Sequence, residues 1–217
     1  SLKEGLIANR IKKVYGIFNG TSNYILSSME KQNKSLQEVL LDAKKLGYAE
    51  ANPTADINGD DVSAKLKILS SLCFNSFLNK NIHVEGIKNI DKEDINNANK
   101  LGYKIKLLGF AELINNNIYQ RVHPTLIRKS SYVASIDGVL NAVLIDGVPV
   151  GQSIIQGEGA GSAATTSALV SDISSIMRGN IKFPFSISNK ERKNLKFKSI
   201  SDRFFSAYLR FEVKDKP

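Results

Sequence analysis

The sequence predicts an α+β chain, with helices towards both ends and a middle of antiparallel neighbouring strands. Two hairpin signals carry the sheet. YKIKLLGFAELI (103–114) and NIYQRVHPTLI (117–127) meet across Asn115–Asn117, and NAVLI (141–145) and VPVGQSII (148–155) flank Asp146-Gly147, a dipeptide suited to a tight turn. The third observation is helical periodicity outside that middle. Apolar residues recur at 62, 66, 69 and 72 in DVSAKLKILSSLCF, and a helical run follows the glycines of 157–161.

In chain order, RIKKVYGIF (10–18) alternates weakly and reads as a strand. NGT (19–21) is a turn, with Thr21 or Ser22 placed to cap a helix NYILSSMEKQ (23–32). Ser35 and Glu38 form a capping-box pattern for SLQEVLLDAKKLG (35–47), and Gly47 fits its stop. Asn52-Pro53 and Gly59 make the next stretch irregular, and helix resumes near Asp60. NKNIHVEGIKNIDKEDINNANK (79–100) reads as surface loop and helix, and SIDGVLNA (135–142) as a short helix between the hairpins. QGEGAGSAATTSALVSDISSIM (156–177) reads as strand end, glycine-rich loop and helix, and AYLRFEVKDKP (207–217) as a closing strand. No internal repeat is visible.

Composition narrows the function. With 217 residues and 42% hydrophobic content, the chain can bury one substantial core or two modest ones. No run of eighteen apolar residues exists, and SLKEGLIANRIKK lacks a signal-peptide block, so a cytoplasmic location with no membrane partner is expected. A single cysteine, Cys73, rules out an internal disulfide framework. With His83 and His123 far apart in sequence, no zinc set is assembled and no metal is assigned. The formal charge is +9, and 178–203 supplies six of it. Arg178, Lys182, Lys190, Arg192, Lys193, Lys196, Lys198 and Arg203 stand there against Glu191 and Asp202. Without clustered aromatics or a helix-turn-helix, this stretch reads as a solvated connector rather than a nucleic-acid surface.

The chemistry concentrates in GYAEANPTADINGDDVSAK (47–65). Asp61 and Lys65, four apart, share a helix face, and the irregular segment before them can bring Glu50 and Asp56 to the same pocket. A lysine among carboxylates stays protonated and oriented; a desolvated one moves protons. An exposed ion pair is the plain alternative. A calcium loop through Asp56, Asn58 and Asp60 fails, because the glycine is out of place at Gly59 and Lys67 stands where a bidentate Glu is needed.

Ala43, the run Gly47-Tyr48-Ala49-Glu50-Ala51-Asn52-Pro53, Asp56-Ile57, Gly59, Asp61 and Lys65 together resemble the homoserine dehydrogenase signature. EGLIANRIKKVYGIFNGTSNYIL, VHPTLI, DGVLNAV and GEGAGSAATTSALVSDI follow the same family's order and spacing, so the resemblance covers nearly the whole chain. It implies interconversion of L-homoserine and aspartate 4-semialdehyde with NAD or NADP, in threonine and methionine synthesis. Lys65 is then the proton-transfer residue and Asp61 its partner. Glu50 holds the substrate ammonium and Asp56 supports the cluster. Gly20 and Thr21 meet the substrate carboxylate at a helix N-terminus, and Tyr48 lines the pocket.

The resemblance also implies a mixed, mostly antiparallel sheet with helices on one face, dimerising or forming tetramers. As a Rossmann fingerprint, Gly157-Glu158-Gly159-Ala160-Gly161 is weak, since its third glycine is misplaced and no acid follows at the expected distance. In the family this loop lies near the nicotinamide, which makes Gly161, Gly159 and Gly47 cofactor contacts. The expected layout is a substrate and dimerisation domain over 1–156, then a loop and helix (157–178) returning to a nucleotide-binding domain absent from this chain. A basic connector (179–206) and the start of an ACT-like regulatory domain (207–217) follow. The chain is expected to be inactive alone. The alternative is a non-catalytic dimerisation or amino-acid-binding module.

Overall fold

Alternating side chains and turn-forming asparagines lay the long strands side by side. β1 (Arg10–Ile17), β2 (His83–Val84), β3 (Tyr103–Ile114), β4 (Asn117–Arg128), β5 (Leu140–Val148), β6 (Gly151–Glu158) and β7 (Lys196–Phe197) form one sheet in a computed structural model. The described residues are 2, 4–77, 82–180, 187–199, 201, 203–211 and 213–214. The order is β2-β4-β3-β1-β5-β6, with β7 also on β4. The long ladders are antiparallel, and only the two-residue strands β2 and β7 pair in parallel, so the sheet is mixed and mostly antiparallel as expected.

α1 (Gly20–Gln32), α2 (Leu36–Lys45), α4 (Asp60–Phe74) and α5 (Lys92–Lys100) pack on one face. Ile25, Leu26, Met29, Val39, Val62, Leu66 and Ile95 meet Val14, Leu107, Ala111, Ile118, Val122 and Ile145 of the sheet there. Neighbouring residues point oppositely along a strand. Leu108 and Leu144 therefore lie on the other face, with Ile17, Val133 and Ile136, under a 3-10 turn at Tyr132–Ser135. Cys73 is buried against the helical core, and that burial pushes its thiol up to about 12, so it is an inert packing residue. No helix among the described residues is long and apolar enough to cross a membrane.

The Asn115–Asn116 hairpin forms as expected, both residues taking positive φ (47° and 65°). The Ser35–Glu38 capping box is present, and Gly47 follows α2 with φ 77°. Asp146-Gly147 is not a turn: it lies within β5, paired with Gln152 and Gly151. The reversal falls instead at Pro149-Val150, because Pro149 has no N–H for a ladder. SIDGVLNA is not a helix. Asp137 is drawn inward to Lys106, and Gly138 takes φ 68°, which breaks any helical run. α1 is capped by Asn19 rather than Thr21 or Ser22, so it starts earlier than the periodicity indicates.

Part of 79–100 forms β2 and α5, while 79–81 lie outside the described residues, as do Lys182 and Asp202 of the basic stretch. The closing strand is not formed at 207–211. That segment is tied by side chains instead: Arg210 pairs with Asp91, Glu93 and Asp94 at the start of α5, and Tyr208 donates to Asp94. Residues 212 and 215–217 lie outside the described residues.

Candidate active site

The site forms where β1 passes into α1. β1 ends at Ile17, Phe18 and Asn19 bridge, and α1 begins at Gly20. Asn19 is extended (φ −136°) and only 5% exposed. Its Oδ1 accepts from the Ser22 N–H at 2.7 Å, closing the helix cap. Its Nδ2 donates to Asp56 Oδ1 at 2.6 Å and to Asp61 Oδ2 at 2.9 Å. The Lys65 ammonium lies 2.7 Å from Asp61 Oδ2 and donates to the Phe18 carbonyl at 3.0 Å. Two consecutive residues thus hold three charged groups from two helices.

Those groups arrive on a sharp corner. α3 (Thr54–Asn58), a short helix where the sequence predicts irregular chain, carries Asp56, and α4 carries Asp61 and Lys65. Gly59 joins the two helices at φ 84°, a left-handed conformation that costs glycine little. α3 is also held from below, where the Ile87 N–H donates to the Ile57 carbonyl at 2.8 Å.

Gly20 has no room for a side chain: a Cβ there would sit 2.6 Å from the Val139 carbonyl. The loop carrying Val139 is fixed by the most buried cation among the described residues. Lys106 Nζ lies 2.8 Å from Asp137 Oδ1, 2.7 Å from the Ile136 carbonyl, 3.0 Å from Asn23 Oδ1 and 3.3 Å from Ser27 Oγ. Asn23 Nδ2 in turn donates to the carbonyls of Ile136 and Leu140. Burial lowers the Lys106 ammonium pKa against the pull of Asp137. Burial alone would raise the Asp137 carboxyl, but the hydrogen bond and charge of Lys106, with Lys31 and Lys104, overcome it and hold the group at about 2. Under α1, then, is a paired and fully bonded ionic node.

Among the other candidates, Thr21 Oγ1 donates to the Tyr48 carbonyl at 2.9 Å, and the Tyr48 ring packs 5.0 Å from that of Tyr24, so α1 carries the Tyr48 segment beside its own start. Glu50 is exposed and makes no hydrogen bond or ion pair with a described residue. Lys65 is not sealed from solvent: its side chain is 45% exposed. Gly47 faces open space. Gly161 does too, at the head of α6 (Ser162–Met177), whereas Gly159 abuts Asn141, whose Nδ2 would lie 1.9 Å from an added Cβ. Asn141 Oδ1 is buried without a hydrogen-bond partner among the described residues. Sequence reasoning missed Asn19, Phe18 and Asn141. An asparagine opening a helix was the available signal for Asn19; a backbone carbonyl such as that of Phe18 leaves none.

Comparison with known proteins points to one family. The homoserine dehydrogenase family model matches residues 1–174. The homoserine dehydrogenase of Neisseria gonorrhoeae is 48% identical over 179 residues, covering 82% of this chain and 41% of that protein. That of Pseudomonas aeruginosa is 39% identical over 228 residues, covering 100% of this chain and 52% of its own length. The crystal structure of a homoserine dehydrogenase from Thiobacillus denitrificans superposes with a TM-score of 0.86 at 42% identity, over 91% of this chain and 48% of that one. A hyperthermophilic archaeal homoserine dehydrogenase mutant in complex with NADPH aligns with a TM-score of 0.68 at 26% identity, over 84% of this chain and 51% of that one. The chain spans about half the length of the curated relatives it matches.

Proposed function

This chain belongs to the homoserine dehydrogenase family, and from that premise we propose that it is the substrate half of an NAD(P)-dependent enzyme interconverting L-homoserine and L-aspartate 4-semialdehyde. The observation that carries the reading is the Lys65 ammonium held between Asp61 and the Phe18 carbonyl, with Asp56 on the same Asn19 amide. Oxidising a primary alcohol removes a hydride from carbon and a proton from oxygen, and bound NAD(P)+ supplies the hydride acceptor. In that direction Lys65, as the neutral amine, takes the hydroxyl proton. In reduction its ammonium returns a proton to the aldehyde oxygen. Asp61 orients Lys65. Asp56 and Glu50 receive the substrate ammonium, the first-turn amides of Gly20 and Thr21 its carboxylate, and Tyr48 lines the pocket.

The cofactor edge is Gly47, Gly159 and Gly161. Asn141 packs its Nδ2 against Gly159 and has a buried Oδ1 with no hydrogen-bond partner among the described residues, an acceptor suited to amide N–H donors such as those of a nicotinamide carboxamide. The long ladders are antiparallel and the glycine loop follows an antiparallel strand, which is no cradle for a pyrophosphate. A nucleotide-binding half supplies the rest, and residues 157–178 return to it. That role accounts for α6, where no residue is buried and Leu169, Ile173 and Ile176 are more than half exposed. The sheet face without α-helices, with Ile154 37% exposed and Tyr132 of the covering 3-10 turn 52% exposed, serves a homodimer or homotetramer in the cytoplasm. Residues 179–206 connect to an ACT-like segment that starts at 207.

The test joins this chain to a nucleotide-binding half of the family. NAD+ or NADP+ is expected to be reduced only when L-homoserine is added. Tight homoserine binding without turnover by either cofactor would replace this reading with an amino-acid-binding module.

A further inference from the structure

We infer that Asn19 is a positioning residue that holds Asp56 and Asp61 together on one side-chain amide. This rests on the proposed reaction at the same site. Two carboxylate oxygens bond to one nitrogen, at 2.6 and 2.9 Å, so they can be no farther apart than those two bonds laid end to end. Carboxylates that close repel, and one of them takes up a proton unless a donor lies between them.

An asparagine amide has two N–H donors and one acceptor oxygen. Here the nitrogen serves both carboxylates and the oxygen accepts from the Ser22 N–H. Flipping the amide would set its oxygen against both aspartates and its N–H groups against a backbone N–H, so the orientation is fixed by chemistry. A lysine or arginine could bridge the same pair, but would bring a positive charge. The neutral bridge leaves the pocket its negative charge, which a substrate ammonium can then use.

The charged groups around the bridge are Asp56 from α3, and Asp61 and Lys65 from α4. Since Lys65 shares Asp61 Oδ2 with Asn19, moving Asp61 also moves the ammonium that carries the proton. The bridge is nearly sealed from water and sits on the strand–helix junction, so its position is set by the sheet rather than by the exposed corner it organises.

Asn19→Asp tests this, because aspartate is as good a helix cap but offers no N–H. In the complete enzyme, kcat/KM at neutral pH is expected to fall about a hundredfold, with the acidic limb of the pH profile moved upward by about one unit or more. The thermal midpoint should fall as well, because a third carboxylate then lies against the first two in a place nearly closed to water. Carbon-detected NMR titration of the Asp56 and Asp61 carboxyls gives a readout that needs no turnover: at least one is expected to titrate higher in the variant. Asn19→Ser, which also caps, should shift the titration the same way if the aspartate variant fails to fold. Unchanged carboxyl titration in both variants overturns the inference even if the enzyme is active. A shifted titration in Asn19→Ser, which adds no charge of its own, sustains it even if homoserine proves not to be the substrate.

Discussion

Replacing Lys65 with alanine in the complete enzyme is expected to lower kcat/KM for L-homoserine about a thousandfold while leaving stability nearly unchanged. The size follows from the role: a positioned proton donor and acceptor contributes about 10²- to 10⁴-fold. Its loss leaves the alkoxide or aldehyde oxygen facing only carboxylates, the wrong sign for either direction of the reaction. The small stability effect follows from exposure. The Lys65 side chain is 45% and that of Asp61 30% exposed, and such a pair is worth about 1 kcal/mol or less. Steady-state kinetics beside a thermal melt separates the two effects. Activity within tenfold of the parent would remove Lys65 from the mechanism.

The second large effect is on folding. Asp137→Ala leaves the Lys106 ammonium, 1% exposed, without its counter-charge, and is expected to cost about 3–5 kcal/mol. The urea midpoint should fall with its slope unchanged. Asp137→Asn keeps an acceptor and should cost less. The parent's pH dependence has a definite sign. The Asp137 carboxyl is held at about 2 against an ordinary 3.8. A depressed carboxyl stabilises the fold above its unfolded value, so a contribution of about 2 kcal/mol is complete above pH 4 and lost as pH falls towards 2. The variant loses that acid limb. Its lysine, lowered by burial, then binds protons less readily folded than unfolded, so its stability should rise as pH approaches 10.5. A flat acid limb in the parent would contradict the pairing.

Local chemistry made most elements legible. The Ser35–Glu38 box, the Asn115–Asn116 turn and the period of α4 are signals carried by adjacent residues, and each appears where it was expected. The errors came from contacts distant in sequence. Asp146-Gly147 looks like a turn until Ile11 of β1 pairs opposite Gly147 and Gln152 opposite Asp146, extending the strand past it. SIDGVLNA looks helical until Lys106, thirty-one positions upstream of Asp137, draws that side chain inward. The closing apolar alternation looks like a strand, but 207–211 has no ladder partner among the described residues and is held by Arg210. At the site, spacing alone pairs Asp61 with Lys65. Recruiting Asp56 depends on a residue thirty-seven positions earlier, which no local pattern announces.

α6 has a consequence for how the two halves of such an enzyme meet. Its sixteen residues bury nothing, and five of them are serine, a modest helix former, so its stability owes little to packing. A helix with so little burial gains stability from any surface that covers its apolar side chains. On the proposed layout, seating α6 against a nucleotide-binding half would cover Leu169, Ile173 and Ile176, so joining the halves and firming up this helix are expected to be linked events.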